Sequence, residues 1–227
     1  LAPEERDAPP TLVVSNKLVE PYEDITNMYS PPKYREIDPN PVMSVFFFLF
    51  FGLMVGDAAY GVILAAVGLS LGFSKKLDVG TRRLLQLIGW GGVAAIFWGV
   101  LFGSYFGIDF GDTEIALWFN PIEDPMTMLY LSVALGVIQL TVGYVMMFIK
   151  LCKDGRPFSA IFDAGSIILL FAALVCLAIG MVAKNPTPGL TAFGSIPENV
   201  LSGLTTAAIV LAVAGIALII VFGGRAN

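Results

Sequence analysis

The sequence contains no histidine and only two cysteines, Cys152 and Cys176. Without imidazole, Ser-His and Cys-His catalysis and histidine-ligated metal sites are ruled out within this chain. The cysteines, one at a helix end and one deep in an apolar run, form no disulfide framework. Charge is scarce too: 14% of the 227 residues are charged, against about a quarter in an ordinary soluble domain. The 13 basic and 18 acidic residues, net −5, exclude the basic footprint of a nucleic-acid binder. No Gly-rich phosphate loop with a following Lys-Ser/Thr, no nucleophile elbow and no carboxylate pair over an evident cleft is found. No catalytic residue, cofactor or metal ligand is therefore expected.

What the chain has instead is apolar bulk, 56% of all residues, gathered into runs of 25 or so. The expected fold class is an all-α membrane protein, a polytopic helical bundle. Four runs have clear spanning length: Leu84–Ile108, Met126–Leu151, Phe158–Ala183 and Val200–Phe222. About 25 residues make a helix of roughly 38 Å, enough for a hydrocarbon core of about 30 Å with some tilt. Residues 1–41 are polar and broken by eight prolines from Pro3 to Pro41, which reads as an extended arm with room for one short helix after Pro21. Residue 1 is leucine and no signal-peptide pattern precedes the first apolar block, so the expectation is a chain that starts inside a longer polypeptide.

The first block, Val42–Phe73, is about 48 Å long as one helix, more than a single span needs. Asp57 lies near its middle, close to Gly52, Gly56 and Gly61. As one helix the block would hold a carboxyl near the bilayer centre, at a cost of at least about 2.5–3.5 kcal/mol. As a hairpin, residues near 42–55 and 58–73 form two short legs, and Asp57 caps the second. The first leg is then only about 21 Å long. Positive charge favours the hairpin. Ser74–Arg83 carries Lys75, Lys76, Arg82 and Arg83, and Lys150–Pro157 carries Lys150, Lys153 and Arg156. The Asp109–Pro125 loop carries no basic residue, and Lys184–Pro197 carries Lys184 alone. Basic loops face the cytoplasm, which with a hairpin also puts Lys33 and Arg35 of the arm inside. The expected total is about six segments, near 42–55, 58–73, 84–108, 126–151, 158–183 and 200–222. The acidic Asp109–Pro125 loop reads as an ordinary exterior loop or as a cation-attracting vestibule.

Gly99, Gly103 and Gly107 recur at intervals of four, as do Gly52 and Gly56, a pattern for close helix packing. Polar groups inside the apolar runs are few. Asp163, Ser166 and Gln139 are candidates for an ion path, with Asp57 the only other ionisable residue there.

The arm contains Pro21-Tyr22-Glu23-Asp24-Ile25 and Met28-Tyr29-Ser30-Pro31-Pro32-Lys33-Tyr34-Arg35-Glu36-Ile37-Asp38-Pro39. It leads into Phe50-Phe51-Gly52-Leu53-Met54-Val55-Gly56-Asp57-Ala58-Ala59-Tyr60-Gly61, with Phe97-Trp98-Gly99 and Leu101-Phe102-Gly103-Ser104-Tyr105-Phe106-Gly107 beyond. Together these resemble the membrane half of the large stator subunit (subunit a, or I) of rotary V/A-type ATPases, prokaryotic branch. The resemblance implies a first hairpin turning at Gly-Asp and a cytoplasmic amino-terminal stalk domain that precedes the arm. Its implied partners are a proteolipid rotor ring, peripheral-stalk subunits and the lipid bilayer, and no nucleic acid. Its implied activity is support of proton or sodium translocation. The family's last two helices, with their essential arginine, have no match here, and Arg225 is not given that role. Two other classes stay open: a stand-alone secondary transporter or channel, which would call for internal repeats, and a structural assembly protein.

Overall fold

The computed structural model describes residue 16 and residues 18–29, 38–108, 116–184, 187, 189–191 and 196–222. Most of the arm, the Ser30–Ile37 part of its motif, Asp109, Asp112, Glu114 and Arg225 lie outside the described residues. The rest is helical, without a strand among the described residues: α1 (Glu20–Tyr29), α2 (Asn40–Val55), α3 (Ala58–Gly72), α4 (Val79–Phe102), α5 (Pro125–Lys153), α6 (Pro157–Ser159), a π-helical turn (Ala160–Gly165), α7 (Ser166–Lys184) and α8 (Glu198–Phe222). Four helical stretches are long and apolar enough to cross a membrane: α4, α5, the continuous Pro157–Lys184 and α8. The protein is a multi-pass membrane protein. At 16 and 15 residues, α2 and α3 are each about 23 Å long, shorter than a hydrocarbon core of about 30 Å.

The chain divides into two compact units, 1–120 and 121–227. In the first, α4 is the central pillar. Both hairpin legs pack on it far more than on each other, because α4 offers each leg its own row of small residues. Toward α3 it presents Gly89, Gly92 and Gly99, and the α3 row of Gly61, Gly68 and Gly72 lies opposite. A Cβ added at Gly61 would sit 2.7 Å from the Ile96 amide nitrogen, and one at Gly89 would sit 2.7 Å from that of Leu69. Helix backbones this close replace the hydrophobic drive that lipid does not supply. Toward α2, α4 presents Gly91 beneath the Phe51 ring and Ala94 against Gly52. Trp98, 7% exposed, donates its indole N–H to the Leu49 carbonyl at 3.1 Å. Trp98 then stacks on Phe102 with centroids 5.6 Å apart, and Phe102 meets the Phe119 ring at a tilt, 5.2 Å away.

The α4 helix starts five residues earlier and ends six residues earlier than the 84–108 stretch read from hydropathy. Asp78 accepts from the Gly80 N–H at 3.2 Å and starts the helix upstream of Arg82 and Arg83. Gly103, with φ of +69°, ends it in the left-handed region.

In the second unit α7 and α8 form the main pair; Gly180 and Gly215 lie at their contact, and Ala173 and Ala208 are buried. At one end the Phe162 and Phe222 rings stack with centroids 3.8 Å apart. Only 6% of the most apolar window of α5 is buried, against 44% for α4. Its Leu129, Val133, Ile138 and Leu140 are exposed, a surface suited to lipid chains.

Candidate functional site

The polar centre of the first unit is the tip of the α2–α3 hairpin. Gly56 ends α2 at φ +54°, donating its N–H to the Gly52 carbonyl at 2.8 Å. Only glycine takes that conformation without strain. Asp57 follows in extended geometry and caps α3: its Oδ1 accepts from the Ala59 and Tyr60 N–H groups at 2.9 and 3.0 Å. Its Oδ2 accepts from the Ser104 hydroxyl at 3.0 Å and from the Gly107 N–H at 2.9 Å. The Ala58 N–H donates to the Ser104 carbonyl at 2.9 Å, closing a ring of bonds between the hairpin tip and the end of α4. The carboxylate is 6% exposed and four donors converge on it. Four donors match the four lone-pair sites of the carboxylate and fasten the turn to the end of α4.

The small-residue residues read from the sequence divide in the structure. Gly52, Gly61 and Gly99 lie at helix contacts, with the Gly99 α-carbon against the Ala58 backbone. Gly103 and Gly107 do not continue the stripe. Gly103 is the left-handed end of α4, and Gly107, at φ +64°, has open space where a Cβ would stand. Their roles are to turn the chain and to give Asp57 a backbone donor. Phe106 between them also has positive φ, +57°, and its ring packs edge-on against Tyr60 at 5.2 Å.

Asp163, Ser166 and Gln139 are not brought into one polar cluster. Asp163 is exposed on the π-helical turn, and Gln139 is exposed on α5. Ser166 is buried, and its hydroxyl donates to the Phe162 carbonyl at 2.6 Å within its own helix. Among the described residues no group of three or more cysteine or carboxylate side chains is spaced to hold a metal ion.

Three arrangements went unread in the sequence. The first is the seam of Gly68, Gly72, Gly89 and Gly92, for which Gly68 and Gly72 at an interval of four were the available signal. The Gln86 amide joins it by donating to the Gly72 carbonyl at 2.8 Å. The second is Arg83, which meets three carboxylates of α1. The third is Asp124, signalled by Asp-Pro at a helix start. Its Oδ1 accepts from the Thr127 N–H at 3.1 Å; its Oδ2 accepts from the Thr127 hydroxyl and from the Gly189 N–H at 3.2 Å. With that hydroxyl proton committed, the Thr187 hydroxyl is the donor in its bond with Thr127. The start of α5 is thereby tied to the α7–α8 connection.

Burial pushes the Asp124 carboxyl up, and the bonds from Thr127 and Gly189 outweigh it, holding the group below the usual carboxylate range. A carboxyl depressed in the folded state contributes stability above its unfolded pKa of about 3.9 and loses it as pH falls through the folded value. Asp124→Asn should therefore melt below the parent protein at pH 6, and the gap should narrow toward pH 3. A gap constant across that range in detergent melts would refute the ionised cap.

Comparison with known proteins adds the family. Residues 2–113 match the V-type ATPase 116kDa subunit family. The A-type ATP synthase subunit I of Pyrococcus horikoshii is 34% identical over 180 residues, covering 78% of this chain and 27% of that protein. That of Thermococcus kodakarensis is 31% identical over 186 residues, 77% of this chain and 28% of the relative. The V-type ATP synthase subunit I of Borreliella burgdorferi is 27% identical over 197 residues, 81% and 31% of the two chains. The chain thus spans about a quarter of the length of the curated relatives it matches most strongly. The family match spans the hairpin and the α4 pillar, and with these relatives the chain belongs to the V-type ATPase 116kDa subunit family, as part of an archaeal-type subunit I.

Proposed function

We propose that this chain is the membrane part of the stator subunit of a rotary V/A-type ATPase, supporting proton or sodium translocation against a proteolipid rotor ring. The observation that carries this reading is the alignment with subunit I proteins across more than three quarters of the chain. The architecture suits it. A stator must hold its shape under load, and the first unit has glycine-close backbones and a saturated polar tip. The apolar outer face of α5 suits lipid or a neighbouring subunit.

In this reading residues 1–41 are a cytoplasmic arm continuing a stalk domain, and residues 42–227 are the membrane domain. With α2 and α3 counted as short legs, it has six segments and both ends are cytoplasmic. Ion binding belongs to the ring carboxylate in this reading; among the described residues Asp163 presents an exposed carboxylate from the π-helical turn that leads into α7. A tag on the assembled subunit should recover the proteolipid ring and stalk subunits in fixed ratio. Recovery without proteolipid, together with ion flux in liposomes holding this protein alone, would favour a stand-alone transporter instead. Topology is tested separately. In a Cys152→Ser, Cys176→Ser background, Asn16→Cys should react with a membrane-impermeant thiol reagent only after cells are opened. Labelling of intact cells would overturn the inward-facing arm.

A further inference from the structure

The short helix α1 is fastened to the membrane helices at one place from two sides. On one side, Arg83 near the start of α4 meets three carboxylates of α1. Its Nη1 donates to Asp24 Oδ1 at 2.9 Å, its Nη2 lies 3.0 Å from Glu20 Oε1 and 3.4 Å from Glu23 Oε2, and its Nε reaches Glu20 Oε1 at 3.3 Å. The three acids stand at i, i+3 and i+4, so one helix face carries all of them. On the other side α1 is seated on the start of α2. Tyr22, 3% exposed, packs edge-on against Phe47 at 5.6 Å. The Thr26 hydroxyl bonds the Asn40 side chain, and Pro21 is fully buried.

We infer that α1 with Arg83 is a latch, making Arg83 the positioning residue that joins the arm rigidly to the α2–α4 membrane unit. This deepens the stator reading and rests on it: a stator whose arm is hinged at this point would let the membrane unit yield under rotor torque. A planar guanidinium with five donors can hold three carboxylates at once, and a lysine ammonium, as a point charge, holds fewer of them in fixed geometry. Removing the cation does more than delete attraction. Glu20, Glu23 and Asp24 then face one another uncompensated, and like charges at this spacing repel.

The test uses the assembled ATPase in proteoliposomes, with ATP hydrolysis and ions moved per ATP read separately. Arg83→Gln should leave hydrolysis near the parent rate, lower the ions moved per ATP several-fold, and quicken hydrogen exchange of the α1 amides. Arg83→Lys should restore part of that ratio. An unchanged ratio and unchanged α1 exchange in Arg83→Gln would overturn the latch and leave the stator reading standing. Failure of the parent complex to move ions on hydrolysis would overturn the stator reading itself, and the latch with it. Where Arg83→Gln assembles too poorly to assay, Asp24→Asn, which removes one half-exposed contact, is read by the same ratio and the same exchange.

Discussion

Gly99→Leu should produce a large loss of stability in the first unit. A Cβ at this position would overlap the Ala58 amide nitrogen and lie 2.5 Å from the Asp57 carbonyl carbon. Both are backbone atoms at the start of α3, held by the Asp57 cap and by the Ala58 bond to Ser104, so no flexible side chain can swing aside. Overpacking a tight core costs about 1–3 kcal/mol and sometimes more, and a clash with fixed backbone belongs at the upper end. Against a total stability of about 5–15 kcal/mol, that is enough to lower the melting temperature in detergent by several degrees and to cut the yield of folded protein. The matched control is Gly143→Leu on α5, where nothing lies within 4 Å of an added Cβ. There the gain in helix propensity of roughly 0.8 kcal/mol should leave the melt unchanged or slightly raised. Equal melting of the Gly99 variant and the parent would show that the α3–α4 seam is not what holds this unit together.

The contrast between those two glycines explains what the sequence could and could not disclose. Apolar runs of about 25 residues declare helices by themselves, because any other backbone in lipid leaves N–H and C=O groups unpaired; the all-helical class was therefore legible. The glycine pattern was not. Gly99, Gly103 and Gly107 look alike on paper, yet α4 ends at Phe102: Gly99 meets the start of α3, Gly103 caps α4 and Gly107 stands beside open space. The apolar character of Tyr105, Phe106 and Ile108 masked that ending, and a phenylalanine at φ +57° has no sequence signal at all. Which glycines face which depends on the crossing of α3 and α4, a tertiary fact absent from either helix alone. The same holds for Arg83. In a count of loop charges it orients the protein, and its ion pairs with residues some sixty positions earlier exist only once α1 has docked. Asp163, Ser166 and Gln139 were singled out for polarity within apolar runs, a property that says nothing about convergence. The structure leaves two of them exposed and turns the third onto its own helix.

Substitution at Asp57 should separate a structural carboxylate from one that handles ions. Asp57→Ala removes the acceptor for four donors at once, leaving the Ser104 hydroxyl and the Gly107, Ala59 and Tyr60 N–H groups without it. Each buried donor orphaned costs about 1–3 kcal/mol, and the lost helix cap alone about 0.5–2 kcal/mol. Some of these groups will find water at the tip, so the sum is an upper bound, but the variant should fall sharply in folded yield. Asp57→Asn should do less harm. Its carbonyl oxygen can keep the Ala59 and Tyr60 bonds, and the Ser104 hydroxyl can rotate to accept from the new amide. The Gly107 N–H is the one partner left facing a donor, because a backbone amide cannot reverse its role. The order of subunit abundance in membranes should therefore be parent, Asn, Ala, and ion movement per assembled complex should stay constant across the three. An Asp57→Asn complex that assembles at the parent level and hydrolyses ATP, yet moves no ions, would mean that the charge itself serves translocation. The ring of bonds at the hairpin tip would then be the setting of an ion site rather than the fastening of a turn.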